Sequence, residues 1–203
     1  MKYIDLTHTF KEKMPVYPGD PESSLKQIAF VEKEGFNEFQ VKTSMHVGTH
    51  MDAPFHMLAD GKKLSDFTPE RFFGKGWLID ARGKNIDVNL LEGRKILKGD
   101  IVLIMTGFSE KFGDSEYYKS YPEMSKDFAA KIIELGVGMV GMDTPSPDYP
   151  PFPIHKLLMR NDVLIIENLT NLKSLIGQGD FTVTALPTKF ESEAAPVRVV
   201  AQV

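Results

Sequence analysis

Histidine and aspartate side chains are concentrated in one short run of the sequence, from position 46 to position 56. Imidazoles and carboxylates are suitable ligands for a borderline divalent ion such as zinc, and a catalytic site needs about three of them plus an open position for water. His46, His50 and Asp52 supply one such set. Residues two apart face the same side of a strand, and Gly48 permits the turn that brings His46 round. The run therefore predicts a catalytic metal site.

Three other residues can extend this site, although each also has an ordinary structural explanation. His56 can act as a general acid and base because histidine titrates near neutral pH, and a role as a ligand or an orienting residue is the alternative. His155 follows a proline-rich loop at the start of a helix candidate, and Glu167 ends an apolar run. A helix-terminal histidine and a solvated carboxylate at a strand end are equally good interpretations of that pair.

The composition excludes several classes of protein. The 203 residues fit a single domain, residues 1–203, with a core large enough to bury a site. A net charge of −4 without a dense Lys/Arg cluster argues against nucleic acid as a partner. No apolar stretch approaches the roughly 18 residues of a membrane span, and the start lacks a secretory signal, so we expect a cytoplasmic protein with no membrane partner. Because cysteine is absent, any metal is held by nitrogen and oxygen.

Short runs of β-branched and other apolar residues between turn signals are typical of strands. They span residues 25–31, 36–43, 77–81, 101–105, 137–142, 163–167, 181–185 and 197–203. The clearest helix begins after an N-cap at Ser125 and stops at Gly136, and shorter helix candidates cover 153–160 and 169–176. Many strands with few helices between them predict a mixed, β-rich α/β fold, with a barrel-like sheet as one form of it.

Five segments together resemble the cyclase family of metal-dependent hydrolases, whose members include bacterial kynurenine formamidase (arylformamidase) and relatives acting on cyclic amides. They are Ile4-Asp-Leu-Thr-His8, His46-Val-Gly-Thr-His50-Met-Asp52-Ala-Pro-Phe-His56, Asp143-Thr-Pro-Ser146, His155 and Ile166-Glu167-Asn-Leu169. The resemblance extends over nearly the whole chain, and the second segment is its most specific part. The segment from Asp148 to Pro153 departs from the formamidase pattern, being shorter and richer in proline and aromatic residues, which leaves the substrate open.

The resemblance implies a ligand set and a fold. His46, His50 and Asp52 would hold a first metal ion, and Asp52 would bridge to a second ion held by His155 and Glu167. His56 would be the catalytic acid and base. The ions would be zinc, or alternatively manganese, in one or two copies. The fold would be a swivelling β/β/α arrangement, a barrel-like sheet flanked by helices, and the chain would form a homo-oligomer, a dimer or tetramer.

Three functions remain open at this stage. The resemblance favours an arylformamidase, which hydrolyses N-formyl-L-kynurenine to L-kynurenine and formate. The same site could instead hydrolyse a cyclic amide or imide, an isatin-like lactam or a carbamate. A non-catalytic metal-binding or ligand-binding protein is the alternative outside enzymes. Tyr17, Phe55 and Trp77 are candidates for an aromatic substrate pocket, although packing is the commoner role of such residues.

Two other motifs do not indicate function. Gly136-Val-Gly138-Met-Val-Gly141 matches GxGxxG, but it follows a helix and opens a strand, whereas a dinucleotide fingerprint follows a strand and opens a helix. We therefore expect a helix end running into a close-packed strand and no nicotinamide cofactor. The sequence also lacks a nucleophile elbow of the G-x-S-x-G type, and Ser146, between two prolines, is predicted to be a loop residue.

Overall fold

A computed structural model describes residues 1–203. Ten strands and three α-helices follow one another along the chain, joined by loops and short 3-10 turns. The strands are β1 (Tyr3–Asp5), β2 (Ser24–Ala29), β3 (Glu38–Lys42), β4 (His50–Asp52), β5 (Phe73–Asp80), β6 (Ile101–Met105), β7 (Met139–Met142), β8 (Leu164–Glu167), β9 (Phe181–Pro187) and β10 (Ala194–Gln202). The helices are α1 (Val31–Glu34), α2 (Lys126–Glu134) and α3 (Pro153–Met159).

Eight strands form one sheet in the order β1-β10-β4-β8-β7-β6-β5-β9, and β10 also pairs with β9. This second pairing closes seven of the strands into a ring, with β1 attached outside the ring to β10. Strands β5, β6, β7 and β8 run parallel to one another, whereas β4 is antiparallel to both β8 and β10, and β9 is antiparallel to both β5 and β10. The prediction of a β-rich α/β fold with a barrel-like sheet is confirmed.

Successive side chains of the ring strands point to opposite faces of the sheet, and this divides the core into two layers. In β6, Leu103 packs with apolar residues from other ring strands, while its neighbours Val102 and Ile104 face α2 and α3. Helix α2 buries Phe128 and Ile132 against that second layer. The inner layer fills the ring, so the barrel is a packed core and any pocket must lie at its rim or between its loops.

Most predicted elements occur, with differences at their ends. The strand predicted at 77–81 begins at Phe73, and the one at 25–31 ends at Ala29 because α1 follows. The helix candidate at 153–160 is confirmed, whereas the one at 169–176 is wrong: only a 3-10 turn forms there, Leu172–Leu175. Strand β1 was not predicted, and β4 was expected only as the extended segment that places His50 and Asp52 on one side. Each has only three residues, too short for an alternating pattern to be recognised.

The remaining strands, β2 and β3, form a separate two-stranded hairpin, which we call the hairpin ribbon (Ser24–Lys42). Every residue of β3 is exposed, including Phe39 and Val41, with relative exposures of 58% and 56%. A two-stranded ribbon with an uncovered apolar face is marginally stable by itself.

The helices of the structure are all too short, or too polar, to cross a lipid bilayer.

Candidate metal centre

Strand β4 places two of the predicted ligands against a third. His50 lies directly opposite Glu167 of β8 in the antiparallel register, so the two side chains project from the same face of the sheet. The Nε2 atom of His50 lies 3.2 Å from Oε2 of Glu167 and 3.4 Å from Oδ1 of Asp52. Met51, between His50 and Asp52, points into the inner core. The three-residue strand thus separates a polar face from an apolar one.

A glycine turn brings His46 to the same point. Gly48 has a φ of +66°, which a glycine adopts at little cost, and this confirms the predicted turn. Nδ1 of His46 lies 3.1 Å from Oδ1 of Asp52, and its Nε2 lies 3.6 Å from Oε1 of Glu193. The Gly48 carbonyl lies 2.9 Å from Nδ1 of His50 and accepts a hydrogen bond there. The proton then sits on Nδ1, which leaves the Nε2 lone pair of His50 free for a cation.

Helix α3 contributes His155 from the opposite side. Its Nε2 lies 3.1 Å from Oε1 of Glu167 and 3.9 Å from Oδ2 of Asp52. Its Nδ1 donates to Oδ1 of Asp148 at 2.6 Å, while Oδ2 of Asp148 accepts from the backbone N–H of Ile154 at 2.6 Å. One carboxylate therefore orients the imidazole and holds the first turn of the helix, the usual arrangement behind a metal-binding histidine.

His56 lies at the end of a 3-10 turn, Pro54–His56, on the pocket side of the cluster. Its ring centroid is 4.2 Å from that of His46 and 5.8 Å from that of His155. Donor atoms of His46, Asp52 and His56 lie within 4.8 Å of one another, as do those of His50, Asp52 and Glu167. All six predicted site residues therefore meet at one place, and His56 is close enough to serve either as a ligand or as an acid and base.

The cluster has the free polar atoms that a cation requires. Nε2 of His50 and both carboxylate oxygens of Asp52 are buried and make no hydrogen bond. Buried polar groups are otherwise almost always paired, and buried carboxylates need a positive charge beside them. Four imidazoles and two carboxylates around these atoms form a nitrogen and oxygen donor set of the kind that divalent metals take. The residues present therefore fit a metal ion.

Charge in the cluster controls how its side chains ionise. Burial opposes protonation of His46, but the charge of Asp52 and the close contacts of the ring with Asp52 and Glu193 outweigh it and raise the pKa of His46 to about 11. Burial likewise opposes protonation of His155, yet its contacts with Asp148 and Glu167 raise its pKa to about 9. For Asp52 burial favours the neutral acid, but the neighbouring imidazolium groups hold its pKa below the usual range. The metal-free cluster therefore holds protons where a metal would bind.

His56 differs from the other imidazoles of the cluster. Burial lowers its pKa, and the charges of His46 and His155 act in the same direction, which together outweigh the attraction of Asp52. The ring therefore tends to be neutral. A neutral imidazole that faces a pocket can accept a proton and later return it.

A pocket of about 270 Å³ opens above the cluster. Besides five of the six cluster residues, its walls are formed by Tyr17, Asp20, Met57, Tyr118, Pro145, Ser146, Phe152 and Asn168. Of the aromatic candidates from the sequence, Tyr17 lies in this wall. Trp77 instead donates to Asp100 at 2.7 Å outside the pocket, and Phe55 is exposed and takes no part in the lining. Ser146 is a loop residue as predicted, but its side chain is buried at the pocket.

Several site residues had no recognisable signal in the sequence. Asp148, Glu193 and Tyr118 reach the cluster or its pocket from loops that are far apart in the chain. Asn168 donates to the carbonyl of Gly48 at 3.0 Å and so ties β8 to the glycine turn. The proline-rich loop around Asp148 was the one local hint, because it immediately precedes His155.

Comparison with known proteins agrees with this geometry. Residues 4–149 match the Cyclase family, described as "Putative cyclase". An uncharacterised protein of Methanocaldococcus jannaschii is 36% identical over 99% of both chains, and the kynurenine formamidase of Bacillus anthracis is 29% identical over 98% of this chain and 96% of its own. The chain belongs to the Cyclase family.

Solved structures share the fold. A structure described as a predicted metal-dependent hydrolase from Bacillus stearothermophilus has a TM-score of 0.80 at 28% identity, covering 98% of this chain and 97% of the other. Isatin hydrolase A from Labrenzia aggregata has a TM-score of 0.87 at 25% identity, covering 100% and 93%. Together with the cluster of buried imidazoles and carboxylates, these relatives define the protein as a metal-dependent hydrolase.

Proposed function

We propose that this hydrolase cleaves the amide bond of an aryl formamide, N-formyl-L-kynurenine, releasing L-kynurenine and formate. The observation that carries the proposal is the position of the unpaired His50 and Asp52 atoms beneath a pocket with aromatic walls. The formyl group is small enough to reach the cluster while the ring packs against Tyr17, Tyr118 and Phe152. The Bacillus kynurenine formamidases, similar over nearly the full chain, support the same substrate class.

The positions of the donor atoms support two metal sites bridged by Asp52. Its Oδ1 lies 3.1 Å from His46 and 3.4 Å from His50, its Oδ2 lies 3.9 Å from Nε2 of His155, and the same Nε2 lies 3.1 Å from Glu167. His46, His50 and Asp52 would hold one ion, and Asp52, His155 and Glu167 the other. We favour zinc because the donors are mainly imidazole, with manganese as the alternative. Bound ions would supply an activated water and a polarised carbonyl oxygen.

His56 is proposed to move the proton. The pocket-facing ring can accept a proton from the attacking water as that water adds to the formyl carbon. When the C–N bond breaks, the imidazolium returns the proton to the departing nitrogen, which leaves as a neutral arylamine. The water oxygen and its second hydrogen leave as formic acid, which ionises to formate and gives one proton to solvent, so atoms and charge balance. Because its pKa is lowered, the ring starts in the neutral form that this first transfer requires.

Hydrolysis of a cyclic lactam is the second candidate function. The similarity to isatin hydrolase A over the whole chain favours it, since ring opening of a lactam needs the same attack on an amide carbon. The two candidate reactions differ in whether the new carboxylate is released as a separate product or stays on the ring compound. A formamide releases formate, whereas a lactam keeps its new carboxylate on the ring, and the pocket must then accommodate that charge.

The test combines metal content with turnover. Purified protein is analysed for bound metal and assayed on N-formyl-L-kynurenine and on isatin, before chelation, after it, and after zinc or manganese is restored. We expect bound metal, and formamide turnover that disappears with chelator and returns with metal. Bound metal with turnover of isatin alone would identify the protein as a lactam hydrolase. A protein that binds no metal would refute both proposed functions.

Variants then separate an enzyme from a metal-binding protein. His56→Ala is expected to retain metal and to lose turnover by about 100-fold or more, the usual size of a general acid and base effect. His8→Ala is the matched control, because His8 is the one histidine outside the cluster and stacks on Phe112. Loss of metal from His56→Ala would identify His56 as a ligand instead.

We further propose that the protein is a homo-oligomer assembled through the hairpin ribbon. Leu25 pairs with Val41 and Gln27 with Phe39, so the face that carries Leu25, Phe39 and Val41 is largely apolar. Phe36 near the turn is also exposed. An apolar patch of this kind on a soluble chain marks an interaction surface, and a second copy of the ribbon offers a surface of the same character.

A further inference from the structure

The pocket wall contains one fixed charge outside the metal cluster, the carboxylate of Asp20. It lies at the end of a turn in which the Asp20 N–H donates to the Tyr17 carbonyl at 2.9 Å. Its side chain is half-buried, accepts no hydrogen bond from the protein and has no basic residue within ion-pair distance. A carboxylate in this position retains its full capacity to bind a donor.

The serine and the asparagine of the wall are already occupied by the protein. The Ser146 hydroxyl donates to the Asp148 carbonyl at 2.7 Å. Asn168 donates to the Gly48 carbonyl, and its Oδ1 accepts from the Tyr117 hydroxyl at 2.8 Å. These groups gain nothing by turning to a ligand, because each would leave a buried partner unpaired. Besides the tyrosine hydroxyls, Asp20 is therefore the polar side chain of the wall that is free to bind a ligand.

The surroundings of Asp20 favour a cation. No lysine or arginine lines the pocket, so an anionic substituent at the wall has no partner there. The rings of Tyr17 and Tyr118 meet edge to face with centroids 5.6 Å apart, and tyrosine faces attract ammonium groups. Burial raises the pKa of the Tyr118 hydroxyl, and the charges of Glu167 and Asp20 add to this, which is consistent with a negative potential at this wall.

We infer that Asp20, with Tyr17 and Tyr118, forms a subsite that binds an ammonium group carried by the aryl part of the substrate, such as the α-ammonium group of N-formyl-L-kynurenine, and disfavours a carboxylate at the same position. The inference rests on the proposed function and names the substrate class of that site. An ammonium group would donate to Asp20 and lie against the tyrosine faces, while the amide reaches the cluster below. Asp20 is a specificity residue and takes no part in bond breaking.

Three formanilides that carry a substituent of different charge at the same ring position test the subsite. They are 3-(aminomethyl)formanilide, 3-methylformanilide and 3-formamidobenzoate, which are cationic, neutral and anionic at neutral pH. For the metal-loaded wild-type protein we expect kcat/KM to fall in that order. Asp20→Asn should lower kcat/KM for the cationic compound about tenfold, the size of a partly exposed charge-assisted hydrogen bond, and leave the neutral compound unchanged. Glu22→Gln, an exposed carboxylate outside the pocket wall, is the matched control.

Binding measured by calorimetry separates this inference from the proposed function. The hydrolysis products 3-aminobenzylamine, 3-methylaniline and 3-aminobenzoate are titrated into metal-loaded wild type and Asp20→Asn. If none of the formanilides is cleaved, the formamidase proposal fails, while a preference for the cationic amine that Asp20→Asn removes still establishes the subsite. Equal or tighter binding of the anion, an unchanged preference in Asp20→Asn, or no binding of the cationic amine would overturn the inference.

Discussion

At the level of single residues, protons and a metal ion compete for the same imidazole nitrogen lone pairs in the cluster. His46 and His155 have raised pKa values because carboxylates surround them, and that of His50 is raised for the same reason. The same carboxylates would attract a divalent cation. A metal that binds must displace the protons, because only a neutral imidazole can be a ligand.

Because protons and metal compete, we expect metal binding to release protons and the affinity for metal to depend on pH. With pKa values of about 11 for His46 and about 9 for His155, both rings of the metal-free chain are protonated at neutral pH. Zinc binding at pH 7 should therefore release more than one proton per chain, and apparent affinity should rise with pH as competition from protons falls. Calorimetric titration of chelator-stripped protein in two buffers of different ionisation enthalpy measures both quantities.

The remaining histidine provides the control for that experiment. Burial lowers the pKa of His8 to about 4, with a smaller effect of Lys11, so this ring is already neutral at pH 7. His8→Gln should leave the number of released protons unchanged. An affinity for zinc that did not change between about pH 6 and pH 9 would contradict the protonated cluster.

The residues that sequence could predict are those whose chemistry and spacing are local. His46, His50, Asp52 and His56 lie in one run, and a period of two along β4 explains the pairing of His50 with Asp52. Asp20 and Asp148 could not be recognised in this way, because an isolated aspartate in a loop is usually solvated. Their roles depend on which loops the closed sheet brings together, and no local pattern encodes that.

Among the elements, the junction between the proline-rich loop and α3 positions a ligand through a contact that no local sequence pattern indicates. Asp148 accepts from both the Ile154 N–H and the His155 ring, so a single side chain fixes the helix start and the ligand. An asparagine has one acceptor oxygen on its amide and cannot serve both donors in this way. The orientation of His155 therefore depends on the carboxylate.

We expect Asp148→Asn to lower metal affinity by about 10- to 100-fold, the usual effect of losing the partner of a metal-binding histidine. Zinc competition with a chromogenic chelator measures the affinity, and circular dichroism checks that the fold is retained. Asp180→Asn is the control, since Asp180 pairs only with Lys75 at the surface and is far more exposed. Wild-type affinity in Asp148→Asn would show that His155 needs no orienting partner.

The longer elements were predicted because they have enough residues for a pattern, as in α2 between Ser125 and Gly136. Strand β4 carries two ligands but has too few residues between the glycine turn and Pro54 for an alternating apolar pattern, so only the spacing of His50 and Asp52 indicated an extended segment there. Its register against β8, which sets His50 opposite Glu167, is a property of the assembled sheet. Local sequence identifies ligands more readily than it identifies the strand that presents them.

At the scale of the whole molecule, the hairpin ribbon sets the expected quaternary structure. Phe39→Asp combined with Val41→Asp places two charges on its apolar face and should convert the oligomer to monomers, because unpaired charges are costly at an apolar interface. Light scattering coupled to size-exclusion chromatography measures the mass. Gln40→Asp, on the opposite face of the same strand, is the control and should leave the mass unchanged. A monomeric wild-type protein would refute the assembly.

Because β10 closes the ring, the order in which the chain is synthesised affects when the barrel can form. Strand β10 pairs with both β4 and β9, and it is the last strand of the ring along the chain. During synthesis, which proceeds from the amino end, every residue of the cluster emerges from the ribosome before the strand that closes the barrel around it. Until then β4 and β9 present open edges, the usual starting points of aggregation. The nascent chain thus contains all the proposed metal ligands before the closed sheet that positions them has formed.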